Sequence, residues 1–258
     1  MTEGVREGVT DLRGLAGMAR SLAIYRLRPW RAAALARFYA RVVRPGDLAF
    51  DIGAHAGNRT RALIRAGARV VALEPQAAFH AFLARDLPPG ATLLRAAAGP
   101  AAGEARLAVS RLHPTLASIA PGFAERMAGA PGFGHVAWDA EEVVPVVTLD
   151  ALIAAHGVPR FVKLDVEGYE AEALAGLSQP VDWVAFEYLP AALAAAQACV
   201  ARLEALAPRH YNFVRGEACA FALPRWLDAA AFGPALAEAA RDGRSGDVYA
   251  RADAPAGD

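Results

Sequence analysis

The chain has 258 residues, of which 55% are hydrophobic and 21% charged, and its 27 basic residues balance 27 acidic ones. This length and apolar content are enough for one large α/β domain with additions, and a zero net charge argues against a nucleic-acid partner, which favours a basic surface. The two cysteines do not suggest a disulfide framework and fit a reducing, cytoplasmic location.

Residues 1–44 are predicted to form a helical extension that precedes the main domain at 45–258. Apolar residues recur at helical spacing on both sides of Pro29, so we predict two helices over 9–43 with a break at this proline. Arginines interrupt the apolar stretches, so we expect neither a signal peptide nor an integral membrane segment. The pattern fits a cap on the main domain, or a face for a homo-oligomer, better than a helix on a membrane surface.

The next pattern is a strand, a glycine turn and a helix. An apolar run over 48–52 leads into the turn Asp51-Ile52-Gly53-Ala54-His55-Ala56-Gly57, and a helical stretch over 58–66 follows. Because Gly53 and Gly57 carry no Cβ, the backbone of this turn can approach a ligand closely. We therefore expect a ligand site at the start of the helix.

An acidic residue closes the second strand. The apolar run over 69–73 ends at Glu74, and an acid about 20 residues after such a turn is placed to accept hydrogen bonds from a ribose diol. The glycine turn and this acid together predict a site for a cofactor that contains a nucleoside.

The composition of the turn favours one cofactor. The dinucleotide fingerprint G-x-G-x-x-G is not met, because the turn begins with Asp51 and lacks the third glycine. A carboxylate at that place would repel a pyrophosphate, but it suits the cationic amino-acid end of S-adenosylmethionine. An NAD-dependent oxidoreductase is the alternative, although the chain has no Tyr-x-x-x-Lys for hydride transfer.

The middle of the chain alternates strands and helices around a long irregular segment. We predict strands over 92–97 and 143–147 and helices over 77–86 and 149–156, a rhythm typical of a parallel sheet. Residues 99–142 lack clear periodicity and contain His113 and His135. Because long segments of this kind are often functional, we predict that this one covers the acceptor; a disordered loop is the alternative. Both histidines are secondary candidates for a base.

A charged strand end follows. A buried strand over 161–166 carries Lys163 and Asp165, and Glu167 comes directly after it. Buried charges are costly unless they are paired or used, and open α/β sheets bind ligands at the carboxyl ends of their strands. Lys163 is the only lysine of the chain, which indicates a position where an ammonium is required. A purely structural Lys163–Asp165 pair is the alternative.

The last third continues the pattern. We predict a strand over 183–187 that ends at Glu187, helices over 170–177 and 191–207, and two final strands over 211–214 and 247–250 that form a hairpin-like end. A frayed tail is expected from about Arg251. Asp165 and Glu187 offer oxygen ligands that suit magnesium, yet we predict no metal site.

At these motifs the chain resembles the FkbM family of S-adenosylmethionine-dependent methyltransferases, over about residues 45–190. The matching pieces, in the family's order and spacing, are Phe50–Gly57, Val71–Pro75, Val147–Asp150 and Phe161–Glu170. The resemblance implies a Rossmann-like class I methyltransferase fold with a seven-stranded, mostly parallel sheet. It also implies methyl transfer to a hydroxyl oxygen of a sugar, glycan or secondary metabolite. A member that binds the cofactor without catalysis is the remaining alternative.

The resemblance also suggests which residues form the site. Asp165 and Glu167 fall where cofactor and acceptor meet, and together with Lys163 they are the candidate catalytic residues. The candidate cofactor-binding residues are Asp51, Gly53, His55, Gly57, Thr60, Glu74, Ala97 and Asp165.

Overall fold

The computed structural model describes residues 11–26, 29–129 and 133–252. Its strands are β1 (Leu48–Ile52), β2 (Arg69–Leu73), β3 (Ala91–Leu94), β4 (Ala97–Ala98), β5 (Gly103–Val109), β6 (Ala140–Val147), β7 (Phe161–Leu164), β8 (Trp183–Tyr188), β9 (Arg209–Arg215), β10 (Leu227–Asp228) and β11 (Gly246–Ala252). Its helices are α1 (Leu12–Arg26), α2 (Pro29–Tyr39), α3 (Asn58–Arg65), α4 (Ala77–Asp86), α5 (Phe123–Ala128), α6 (Leu149–His156), α7 (Glu170–Ala175), α8 (Leu193–Leu206) and α9 (Ala229–Ala239).

The main sheet has the order β10-β9-β11-β8-β7-β1-β2-β3. Strands β3, β2, β1, β7 and β8 run parallel, whereas β11 lies antiparallel to both β8 and β9. The predicted Rossmann-like, mostly parallel sheet and its hairpin-like end are therefore confirmed. The sheet has eight strands rather than the predicted seven, because the short β10 pairs with the edge of β9.

The central strands are buried on both faces, as parallel strands covered by helices on each side must be. All residues of β1 and of β7 are buried. One face, with Phe50 and Leu164, packs against α6, α7, α8 and α9. The opposite face, with Ala49 and Phe161, packs against α2, α3 and α4. This double layer fixes the carboxyl ends of β1, β2 and β7 at one edge of the sheet.

The predicted strand over 92–97 is wrong as a single element. It is divided between β3 in the main sheet and β4, which pairs with β6 in a separate three-stranded sheet of order β4-β6-β5. In the main sheet Leu94 is the partner of Leu73, the last residue of β2. Beyond that pair the neighbouring strand has ended, so the chain leaves the sheet edge and joins the small sheet.

The segment 99–142 has regular structure of its own. Strand β5 is antiparallel to β6, a short 3-10 helix spans Pro114–Leu116, and α5 follows. The inward residues of β5, Leu107 and Val109, pack against Val144 and Val146 of β6. Residues 130–132 of this segment, which we predict to cover the acceptor, lie outside the described residues.

The two predicted N-terminal helices are confirmed as α1 and α2, and α2 begins at Pro29, where the break is predicted. Residues 27–28 between the helices lie outside the described part, as do residues 1–10. Helix α1 packs against the residues that lead into the 3-10 helix: a Cβ added at Gly17 would lie 1.9 Å from the carbonyl oxygen of Arg111 and 3.1 Å from the Cδ of Pro114. No helix in the described part of the chain is long and apolar enough to cross a membrane.

At the other end of the chain, β11 continues to Ala252, so the predicted fraying does not begin at Arg251. The rest of the predicted tail, residues 253–258, lies outside the described residues.

The Thr148-Leu149-Asp150 piece has a structural role. The Thr148 side chain accepts a hydrogen bond from the backbone N–H of Ala151 at 3.0 Å and so caps α6. Asp150 accepts one from the N–H of Ser178 at 2.9 Å, which ties α6 to the loop after α7.

Candidate functional site

A cleft opens where the strand order reverses between β1 and β7, the place where open α/β sheets bind ligands. Of the predicted site residues, Gly53, His55, Glu74, Ala97, Asp165 and Glu167 line it. We call the wall formed by Gly53, His55 and Glu74 the Glu74 side, and the wall formed by Asp165, Glu167 and Glu187 the Glu167 side.

Gly53 is the point where the two sides meet. Its φ is +88°, and a Cβ added there would lie 1.9 Å from the backbone oxygen of Asp165. Its N–H and that of Ala54 both donate to the carbonyl oxygen of Leu73, at 2.9 and 2.8 Å. Only glycine lets the turn after β1 pass this close to the end of β7.

The carboxylate of Glu74 organises its side of the cleft. It accepts hydrogen bonds from the backbone N–H of His55 at 2.6 Å and from that of Gln76 at 2.9 Å. Burial raises the pKa of Glu74 to about 7. Both oxygens keep lone pairs that can accept a further hydrogen bond from a ligand hydroxyl.

His55 contributes an apolar ring rather than a charge. Its φ is +47°, and its ring lies 4.2 Å from that of Phe79 and 5.6 Å from that of Tyr25 between centroids. Burial lowers the pKa of His55 to about 4, so the imidazole is neutral at physiological pH. Its Nε2 has no hydrogen-bond partner among the described residues.

Three predicted cofactor-binding residues lie beneath the turn instead of lining the cleft. Asp51 is fully buried and accepts a hydrogen bond from the hydroxyl of Thr60, while burial raises its pKa. Gly57, with φ +74°, begins α3, and a Cβ there would lie 2.6 Å from Leu83. These residues fasten the turn to α3 and α4. Their contact with a cofactor stays a prediction.

The Glu167 side holds three carboxylates. One oxygen from each of Asp165, Glu167 and Glu187 lies within 4.8 Å of the other two. Burial and the neighbouring carboxylates raise the pKa values of Glu167 and Glu187 well above the usual range. The Oε2 atom of Glu187 is buried without a hydrogen-bond partner among the described residues. This wall can accept a proton, and its oxygens are also of the type that hold a divalent cation.

The loop that carries Glu167 is held from two directions. Glu167 has φ +51°, and its carbonyl oxygen accepts a hydrogen bond from the hydroxyl of Ser118 at 2.8 Å. From the other direction, Glu170 accepts hydrogen bonds from the N–H groups of Val166 and Gly168 at 3.2 and 3.3 Å. The side chain of Glu167 is therefore presented to the cleft by a defined backbone.

Asp165 differs from its two neighbours because it contacts cations. The Nε atom of Arg59 lies 3.2 Å from its Oδ2, and the Nζ atom of Lys163 lies 3.7 Å from the same oxygen. Both cations lower the pKa of Asp165, so it is ionised at neutral pH. Lys163 is fully buried and does not line the cleft, which fits the structural alternative for this residue.

Sequence reasoning did not identify Arg59, the one basic side chain besides His55 among the described residues that line the cleft. It is one of many arginines, and its partner Asp165 is 106 positions away. The secondary base candidates His113 and His135 contact each other at 5.1 Å between ring centroids and do not line the cleft.

Residues from the N-terminal helix and from the segment 99–142 form the outer wall. Tyr25 of α1 lines the cleft together with Pro114, Thr115 and Ser118. Burial and nearby carboxylates raise the pKa of Tyr25 to about 12. The segment thus lies over the cleft, while its contact with an acceptor stays a prediction.

Comparison with known proteins gives a family match. The profile of the Methyltransferase FkbM domain matches residues 51–190, more than half of the chain. No curated protein matches the chain.

Among solved structures, the chain is similar to a TehB-like SAM-dependent methyltransferase from Corynebacterium glutamicum, with 10% identity, a TM-score of 0.49, and 93% of this chain and 100% of that one covered. It is similar to an O-methyltransferase from Bacillus cereus in complex with SAH, with 13% identity, a TM-score of 0.45, and 96% and 94% covered. A third is a precorrin-6y C5,15-methyltransferase from Geobacter metallireducens, with 13% identity, a TM-score of 0.43, and 86% and 87% covered.

Proposed function

Because the chain belongs to the FkbM methyltransferase family, we propose that it transfers the methyl group of S-adenosylmethionine to a hydroxyl oxygen of a sugar, glycan or secondary metabolite. The observation that carries the choice of a hydroxyl is the Glu167 side of the cleft, where two carboxylates with raised pKa values lie beside one that is held ionised.

The Glu74 side supports S-adenosylmethionine as the cofactor. This molecule has a ribose, a sulfonium and an ammonium, and it has no phosphate. Glu74 can accept hydrogen bonds from the ribose hydroxyls, and the surrounding carboxylates favour the two positive charges. Arg59, which could bind a phosphate, is already paired with Asp165 and Asp247. The charges of the cleft therefore disfavour a dinucleotide.

Methyl transfer is a direct displacement in which the S–C bond breaks as the C–O bond forms. Holding the two reactants in line at attack distance contributes roughly 7–11 kcal/mol to such a step. The close approach at Gly53 brings the two walls together and so limits how far apart the reactants can lie. S-adenosylhomocysteine leaves with a neutral sulfur.

The hydroxyl must lose its proton as the bond forms, and Glu167 is the better base. A carboxylate whose pKa is raised is a stronger base than one whose pKa is held low, provided that it is ionised at the working pH. The pKa of Glu167 is raised by burial and by Asp165, whereas Arg59 and Lys163 lower that of Asp165. In this mechanism Glu167 takes the proton and the ionised Asp165 accepts a hydrogen bond that orients the acceptor.

A two-step experiment tests the proposal. S-adenosylhomocysteine is expected to raise the melting temperature and NADH is not; the reverse result would contradict the cofactor. Release of S-adenosylhomocysteine is then followed with S-adenosylmethionine and a panel of sugars, phenols, amines and carboxylic acids. Turnover restricted to amines or carboxylic acids would contradict a hydroxyl acceptor.

A further inference from the structure

Asp247 of β11 forms a buried ring of alternating charges with three residues of the cleft region. Lys163 lies 3.1 Å from Asp247 and 3.7 Å from Asp165. Arg59 lies 3.4 Å from Asp247 and 3.2 Å from Asp165. Each cation thus contacts both carboxylates, and of the two carboxylates only Asp165 lines the cleft.

Because the ring is buried, each of its charges depends on its partners for stability. The side chains of Lys163, Asp247 and Arg59 are 0%, 8% and 15% exposed. Charges in such surroundings are stable only when they are paired, and removing one partner leaves the other uncompensated. Asp247 also lies outside the residues 51–190 that match the family profile, so the match says nothing about it.

We propose that Asp247 is a positioning residue for methyl transfer, which holds Asp165 in place through Arg59 and Lys163 and takes up part of their positive charge. The proposal rests on the proposed function, because it assigns Asp165 a place beside the reacting hydroxyl. Without Asp247, two cations would face one carboxylate from the buried side. The potential in the cleft would become more positive, and the carboxylates of the Glu167 side would bind protons less readily.

Other titratable groups face this ring and its neighbours, and they are unchanged in the variants below. They are Tyr25 of α1, Tyr39 of α2, Asp51 of β1, His55 of the turn, Glu167 before α7, Glu170 of α7, Glu187 and Tyr188 of β8, Glu217 and Cys219 after β9, and Tyr249 of β11.

The test is Asp247→Asn, which keeps the size of the side chain and removes its charge. We expect kcat to fall by up to about 100-fold, the cost of misplacing a group by about 1 Å. We also expect the acidic limb of the kcat profile to move to lower pH. An equal loss at every pH, with an unmoved limb, would show a merely structural role and overturn the proposal; so would an unchanged kcat. The matched control is Asp242→Asn, which removes an aspartate from a single surface pair with Arg215 and is expected to change neither quantity.

A second variant covers the case in which Asp247→Asn folds poorly. Lys163→Met with Asp247→Asn removes one cation and one anion and leaves Arg59 paired with Asp165. This variant is expected to unfold at higher urea than Lys163→Met alone and to return the acidic limb toward the original pH. A double variant less stable than Lys163→Met would contradict the shared-charge ring.

Stability in urea separates the two proposals, because it reports on the ring without any acceptor. If no acceptor is methylated, the proposed function fails, while a double variant that is more stable than Lys163→Met still supports the ring. A double variant that is no more stable than Lys163→Met would overturn the ring even where methyl transfer is observed.

Discussion

The carboxylates on the two walls of the cleft differ in their hydrogen bonding. On the Glu74 side, the carboxylate of Glu74 is already hydrogen-bonded to two backbone N–H groups. On the Glu167 side, the Oε2 atom of Glu187 has no partner among the described residues, and burial beside other acids raises the pKa of Glu167. A satisfied carboxylate shapes the turn that it holds, whereas an unsatisfied one requires a ligand or a proton. The Glu74 side is therefore suited to binding the cofactor, and the Glu167 side is suited to proton transfer.

The largest effect is expected for a substitution on the Glu167 side. Glu167→Gln should lower kcat by about 10²–10⁴-fold, because an amide cannot take the proton of the hydroxyl. The dissociation constant of S-adenosylhomocysteine should stay nearly unchanged. Glu172→Gln, an exposed glutamate on α7, is the control in the same steady-state assay. An unaltered kcat in Glu167→Gln would remove this residue from the mechanism.

Next in size is a substitution at the junction of the two walls. Gly53→Ala adds a Cβ 1.9 Å from the backbone oxygen of Asp165 at φ +88°. Gly46→Ala is a matched control, since its φ is +90° and nothing lies within 4 Å of the added atom. The control should lose only the cost of the left-handed conformation, about 1–2 kcal/mol of the free energy of unfolding. Gly53→Ala should lose more and bind S-adenosylhomocysteine weakly; equal losses in urea titrations would show that the close approach is unimportant.

A third substitution tests the role of the Glu74 side in cofactor binding. Glu74→Gln should weaken S-adenosylhomocysteine binding by about 1–3 kcal/mol, because a buried acceptor of hydrogen bonds is replaced by a poorer one. The pKa of Glu74 is raised to about 7, and a ribose hydroxyl donates best to the ionised form. Binding should therefore tighten as pH rises through about 7, and the variant should lack this dependence. Calorimetry measures both; Glu104→Gln on the exposed face of β5 serves as the control. A binding profile with the same pH dependence in both proteins would speak against the role of Glu74.

The smallest expected effect concerns the contact between the segment 99–142 and the Glu167 side of the cleft. Ser118→Ala removes the hydrogen bond that the hydroxyl donates to the carbonyl oxygen of Glu167 and the one that it accepts from the N–H of Ala120. Each loss should cost about 0.5–1.5 kcal/mol. We expect the first loss to appear in kcat, since it loosens the backbone that presents Glu167, and to leave cofactor binding unchanged. Ser178→Ala, at an exposed position, is the control. A change in cofactor affinity with no change in kcat would show that Ser118 acts on the Glu74 side and would contradict its role in presenting Glu167.

The sequence was sufficient for the strand ends that line the cleft. Glu74, Asp165 and Glu167 each follow a buried apolar run, and parallel strands bring their carboxyl ends to one edge. The residues that hold these acids could not be predicted in the same way. Arg59 and Asp247 pair with partners far along the chain, and an arginine or aspartate in a local window gives no signal of such a contact.

The segment 99–142 shows a different reason for failure. Its strand β5 alternates outward and inward residues only from Ala105 to Val109. The segment's partners are distant in sequence, since the 3-10 helix contacts α1 and Phe123 of α5 lies against Gly168. The division of 92–97 between two sheets depends on where its partner β2 ends, and the residues 92–97 themselves carry no signal of that pairing.

That division ties the outer wall of the cleft to the main sheet. Only Arg95 and Ala96 separate Leu94, paired in the main sheet, from Ala97, paired in the small one. A tether of two residues keeps the small sheet beside the end of β2, whose last residue Leu73 is the partner of Leu94. Because the segment 99–142 and Tyr25 of α1 line the same outer wall, the cleft is bounded on that side by a sheet that cannot lie far from Glu74.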